Sequence, residues 1–128
     1  YIYKKLKASS VLDPCMGWGG RMLGATSLGI KYTGFDTNTD LKPGYEKMID
    51  DLKLDHIRLF WESGLNEEII KDLDYDIVLT SPPYENLELY QHMTPWESED
   101  QVVGIFRPKC IRNLQRNIII RPVILLKI

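Results

Sequence analysis

The chain has 128 residues but only two cysteines and two histidines. Cys15 and Cys110 lie far apart and form no Cys-x-x-Cys pair, so neither a disulfide framework nor a zinc ribbon is expected. His56 and His92 are too few and too scattered for a metal centre, and no metal is expected. No apolar run reaches the about 18 residues that a membrane-crossing helix needs, and no secretory leader pattern heads the chain. No membrane partner is therefore expected, and the expected compartment is the cytoplasm or, in a eukaryotic host, the nucleus. Neither charge sign is in excess: 16 basic and 18 acidic residues leave a formal net charge of -2, so nucleic-acid binding cannot be argued from overall charge. Acid is absent from the end of the chain. All 18 acidic residues precede residue 101, and Arg107, Lys109, Arg112, Arg116, Arg121 and Lys127 follow alone. Such a tail can touch phosphates, although the solvated side of a helix plus strand ends is the simpler reading.

Repeats, low-complexity tracts and linkers are missing too, and the length suits one domain over residues 1–128. What is present is alternation. "SVLDP" (10–14) reads as a first strand ended by Pro14, and "GRMLGATSLG" as a helix from Gly20 with Met22, Leu23 and Leu28 on one side. "KYTGFD" reads as a second strand and "LKPGYEKMIDDL" as a second helix with Pro43 in its first turn. "IRLFWE", "NEEIIKDL" and "YDIVLT" give a third strand, a short helix and a fourth strand. A helix over 98–115, disturbed at Pro108, and a fifth strand over 117–126 are expected to follow, with Pro122 keeping that strand off a fully paired position. Strands spaced by helices mean βαβ units and a mostly parallel α/β sheet with flanking helices. The opening "YIYKKLKASS", with no initiator methionine, reads as a helix entered midway, so an incomplete domain is expected.

In such sheets ligands gather at the carboxyl ends of the strands. After the first strand comes "DPCMGWGGR", where Gly17, Gly19 and Gly20 permit backbone conformations and close approaches closed to other residues. No Gly-Lys-Ser/Thr follows, so this is no P-loop, and Met22 stands where a dinucleotide fingerprint would have its third glycine. Asp36 ends the second strand, where an acid can accept hydrogen bonds from both hydroxyls of a ribose. Its alternative role is to cap the turn that holds Asn38 and Asp40. The loop after the third strand, with Trp61, Glu62 and Ser63, would flank the base of a nucleoside there, Trp61 being equally suited to the core.

The fourth strand runs into "TSPPY". Pro82 and Pro83 have fixed φ and no N–H, which leaves carbonyls that can point outward. Ser81 adds a hydroxyl and Tyr84 a flat ring. These groups could hold an aromatic amine in one orientation; a stiff strand-ending turn with Tyr84 packed inward is the plainer alternative.

Together the two loops carry a resemblance. "VLDPCMGWGG" is similar to the cofactor motif of S-adenosylmethionine-dependent methyltransferases, and "TSPPY" resembles the catalytic motif of the DNA amino-methyltransferases, which act on cytosine N4 or adenine N6. "DPCMGWGGR" and "SPPYENLELY" further resemble a subgroup found in phage and large-virus DNA methylases. The resemblance spans about residues 10–90. It implies a Rossmann-like methyltransferase fold, S-adenosylmethionine as cofactor, and DNA with a flipped-out base as partner. By position it implies that Asp13, Cys15, Gly17 and Gly19 line the methionine part of the cofactor, with Pro14 in the same loop. Asp36 is implied to bind the ribose, Ser63 to lie near the adenine, and Ser81, Pro82, Pro83 and Tyr84 to hold the target base. In that arrangement Ser81 Oγ and the Pro82 carbonyl accept the amine N–H groups while Tyr84 stacks on the base. Serine before Pro-Pro-Tyr leans toward cytosine. Members of the family carry further strands and a target-recognition region, so a missing region or subunit is expected. Three alternatives stay open: an RNA methyltransferase, a protein-glutamine methyltransferase, and an inactive nucleotide-binding remnant. Ser81 in place of asparagine speaks against the glutamine version.

Overall fold

Short apolar runs with few polar interruptions are the mark of strands covered on both sides, and they assemble here into one sheet. The computed structural model describes residues 1–81, 117–120 and 124–126. Its helices are α1 (Ile2–Lys5), α2 (Gly20–Thr26), α3 (Lys42–Asp51) and α4 (Glu67–Ile70), and its strands are β1 (Ser10–Asp13), β2 (Lys31–Phe35), β3 (Ile57–Phe60), β4 (Ile77–Thr80), β5 (Asn117–Ile120) and β6 (Ile124–Leu126). Strand order is β3-β2-β1-β4-β5-β6. The first five strands run parallel, with Val11 opposite Tyr32 on one side and opposite Ile77 on the other. Order reverses between β1 and β4, the place where a crevice opens in a doubly wound sheet.

The expected elements up to residue 80 are present, shortened by a residue or more at their ends. The expected fifth strand is two strands. β5 lies parallel to β4, and β6 returns antiparallel to β5, with Ile119 opposite Leu125. β5 is therefore paired on both sides, while Pro122, in the sequence between the two strands, lies outside the described residues. The helix expected over 98–115 and the basic residues Arg107 to Arg116 lie outside the described residues, as does Cys110.

Period-two alternation sorts the side chains to the two faces. Val11, Tyr32, Ile77 and Leu79 join Met22, Ala25 and Tyr45 in one core, under α1, α2 and α3. Leu12, Phe35 and Val78 join Ile70, Leu73 and Tyr75 in the other, under α4. On α2 the buried pair is Met22 and Ala25; Leu28, expected on the inner side, lies beyond the helix end and is exposed. Asn66 caps α4, its side chain accepting from the Glu68 N–H at 3.1 Å, with Glu67 and Glu68 suiting the positive end of the helix.

Candidate active site at the strand tips

Hydrogen bonds and close backbone contact tie the loops after β1, β2 and β3 and the tip of β4 together. The loop after β1 turns at Gly17 (φ +55) and Gly19 (φ +85), both in the left-handed region that disfavours other residues. Gly19 is the residue from which α2 starts, and an added Cβ there would stand 3.3 Å from Tyr45 and Met48. The Gly17 N–H donates to Asp36 Oδ2 at 2.9 Å, joining the first loop to the tip of β2. The Tyr45 hydroxyl donates to the Gly17 carbonyl at 2.9 Å, with the Met16 carbonyl at 3.3 Å. The Cys15 N–H lies 3.1 Å from Thr80 Oγ1, joining the first loop to the tip of β4. Finally, a Cβ on Gly64 would fall 2.1 Å from the Pro14 carbonyl oxygen, so the loop after β3 lies backbone to backbone against the loop after β1.

Asp13 was expected beside the cofactor. Its carboxylate instead faces inward with no exposure, accepting from Arg21 Nε at 2.6 Å and from the Tyr32 hydroxyl at 2.7 Å. Burial pushes this carboxyl above the ordinary carboxylate range, while the Arg21 charge and the Arg21, Tyr32 and Thr80 hydrogen bonds pull it back down. Arg21 also donates through Nη2 to the Cys15 carbonyl. Asp13 thus shapes the loop through Arg21, because a carboxylate so enclosed needs every partner it has. Pro14 is buried as well and packs on Gly64. The Cys15 thiol is pushed up, first by burial and then by the Asp13 and Asp36 charges, so it stays protonated at neutral pH. Its backbone N–H and carbonyl bind Thr80 and Arg21.

Asp36 is half-buried at the tip of β2. Oδ1 accepts from the Asn38 N–H at 2.9 Å while Oδ2 takes Gly17. The acid thus caps its own turn and ties down the glycine loop, and its two oxygens keep lone pairs for further donors. Ser63 is exposed, and its hydroxyl accepts from the Leu65 N–H at 3.2 Å. Trp61 is half-buried and meets the Tyr45 ring edge-on at 5.5 Å, a packing role. Ser81 follows Thr80 directly and is half-buried. Pro82, Pro83 and Tyr84 lie outside the described residues.

The structure thus brings Pro14, Cys15, Gly17, Gly19, Asp36 and the Ser63 loop to one end of the sheet, with Ser81 next to the Cys15–Thr80 bond. Sequence reasoning gave no role to Arg21, Tyr45 or Gly64. Arg21 stands in the quoted motif and eight residues after Asp13, a spacing that hints at helix-to-strand pairing. Nothing local singles out Tyr45 or Gly64. Among the described residues, no three metal-ligating side chains gather, and no helix is long and apolar enough to cross a membrane.

No family model matches the chain, and no curated protein does. Solved structures do. A candidate methyltransferase of Escherichia coli, yhhF, superposes with TM-score 0.64 at 17% identity, over 83% of this chain and 57% of its own. The chain has a Rossmann-like methyltransferase fold. A candidate methyltransferase from Streptococcus mutans, solved in complex with SAH, gives TM-score 0.64 at 15% identity over 88% and 61% of the two chains. An rRNA methylase from Streptococcus thermophilus gives 0.59 at 14% identity, again over 88% and 61%. The chain spans under two thirds of each neighbour.

Proposed function

We propose that the protein transfers a methyl group from S-adenosylmethionine to the exocyclic amino group of cytosine (N4) or adenine (N6) in DNA. One observation carries the reading. The glycine loop is joined across the switch point to the tip of β4, one residue before Ser81, by the Cys15–Thr80 hydrogen bond of 3.1 Å, which supports a donor loop and an acceptor loop working side by side.

The residues present fit the cofactor. A Cβ on Gly17 would meet nothing within 4 Å, so the loop has open space above it. The half-buried Asp36 keeps lone pairs for a ribose diol beside its two backbone donors. Gly17, Gly19 and the Cys15 backbone would hold the methionine part, Asp36 the ribose, and the Ser63 loop the adenine. When bound, the cofactor supplies an electrophilic methyl group. The chain's own work is then mainly positioning. Ser81 Oγ would accept one N–H of the target amine, favouring a pyramidal nitrogen whose lone pair faces the donor; Pro82 and Tyr84 complete the cradle by resemblance. A base in a duplex must first leave its stack, and a further recognition region or subunit, and a cytoplasmic or nuclear location, belong to the same proposal.

Incubation with labelled S-adenosylmethionine and unmethylated DNA tests this. Label should enter DNA and fall at least about tenfold with Ser81→Ala, and nucleoside analysis of the product should return N4-methylcytosine or N6-methyladenine. Label in protein alone, or none, would sink the reading. Label in RNA alone would establish the second reading, which the rRNA methylase among the structural neighbours favours.

A further inference from the structure

One large apolar side chain at the site is left outside the core. Trp18 stands between Gly17 and Gly19 and is 86% exposed. A lone exposed apolar side chain needs no explanation in itself; place and rigidity set this one apart. Burying an indole is among the largest apolar gains a side chain offers, yet this ring is left outside the core on a backbone that is tied down. Gly17 and Gly19 hold left-handed conformations on either side. The Gly17 N–H is fixed on Asp36 and its carbonyl on the Tyr45 hydroxyl, both at 2.9 Å. The Leu23 N–H fixes the Gly19 carbonyl at 3.0 Å. Beneath Gly19 the space is filled by Tyr45 and Met48. The backbone is pinned on both flanks while the ring stands in water.

We infer that Trp18 is a stacking platform for an unstacked nucleobase of the nucleic-acid strand bound across the strand tips. The inference rests on the proposed methyl transfer to a nucleic acid, and deepens it by naming how the polymer is held. A small ligand laid on so open a ring would keep its other face in water. A strand anchored elsewhere in the crevice brings its bases to the ring at high effective concentration. The pinned backbone loses little freedom on binding. Stacking on an indole takes any base, so the contact holds the strand without reading its sequence.

The test uses the intact protein, Trp18→Ala and Trp18→Phe, with labelled single-stranded DNA and RNA oligonucleotides of the same mixed sequence. Fluorescence anisotropy reads binding, and equilibrium dialysis with labelled S-adenosylmethionine alone reads the cofactor. Trp18→Ala should weaken binding roughly tenfold to a hundredfold on the polymer that the protein uses, while Trp18→Phe keeps most of it. Cofactor affinity should be the same in all three proteins, and thermal unfolding should be unchanged. Indole emission should be quenched by oligonucleotide in the wild type, with most of the quench lost in Trp18→Phe. Which polymer responds says whether DNA or RNA is the source of the base. Unchanged binding of both polymers in Trp18→Ala, no binding of either by the wild type, or a loss confined to the cofactor overturns the inference. The two proposals fail separately: methyl transfer to DNA with Trp18-independent binding sinks only this one, and Trp18-dependent binding without transfer to DNA sinks only the other.

Discussion

The two faces of the sheet are packed for different purposes. On the face under α1, α2 and α3, the core includes Tyr3, Tyr32 and Tyr45, and their hydroxyls donate to the helix that the glycine loop opens, to the strand end before that loop and to the loop itself: Tyr3 to the Arg21 carbonyl, Tyr32 to Asp13, Tyr45 to Gly17. On the face under α4 the core is Leu12, Phe35, Ile70, Leu73, Tyr75 and Val78, with Phe60 stacked on Phe35 at 4.7 Å. One face ends in polar groups that position backbone at the strand tips. The other is mainly an apolar seal. A tyrosine buries its ring like a phenylalanine and carries a hydroxyl to its far end, so the first face shapes the site with the same residues that stabilise it.

If the faces divide in this way, stability and ligand binding should separate between them. The largest effect is expected from Phe35→Ala, which should cost about 3–5 kcal/mol in urea unfolding yet leave cofactor affinity of the folded fraction unchanged. Gly64→Ala comes next, at about 3 kcal/mol, because the methyl would meet the Pro14 backbone, which cannot swing aside as a side chain can; here cofactor binding should fall too. Tyr45→Phe removes one hydroxyl and keeps the ring. It should cost only about 1 kcal/mol of stability but weaken S-adenosylmethionine binding several-fold by calorimetry, and equal affinity in the two proteins would break the comparison.

The smallest effect belongs to the opposite end of the β1–β4 pair. There Asp76 accepts from the Ser9 N–H at 2.7 Å, the Ser10 N–H at 3.0 Å and the Ser9 hydroxyl. Slight burial works to raise its carboxyl, but the Ser9 and Ser10 hydrogen bonds prevail and hold it below the ordinary carboxylate value. A depressed folded pKa means stability present above the unfolded value of about 3.9 and lost as pH falls through the folded one. Wild type and Asp76→Asn should therefore differ by about 1 kcal/mol at neutral pH, discounted for exposure, and converge below about pH 4 in acid titrations of urea unfolding.

Much of the fold was legible in the sequence. Each strand through β4 shows as an apolar run because both faces are covered, and Pro14, Gly19 and Asn66 mark boundaries that the backbone respects. The split of residues 117–126 into β5 and β6 is not foreseen because Pro122 can mark either a poorly paired strand position or a break between two strands, and the apolar residues on its two sides look alike in both cases. In the site, Asp36 and the two left-handed glycines stand where spacing put them. The direction of the Asp13 carboxylate was not legible. It depends on Arg21 and on Tyr32, 19 residues away in sequence.

The sequence by itself determined local matters: which segments are strands or helices, where proline and glycine stop or bend them, and which chemical groups sit at each strand's end. These follow from steric and periodic preferences between near neighbours in the chain. Only the tertiary structure decided which ends meet. The Cys15–Thr80 bond spans 65 positions, and Gly64 reaches Pro14 because α4 lies on the face opposite α2 and α3, sending its loop across the tips. Strand order arises from packing whole layers, and no short window of sequence contains it.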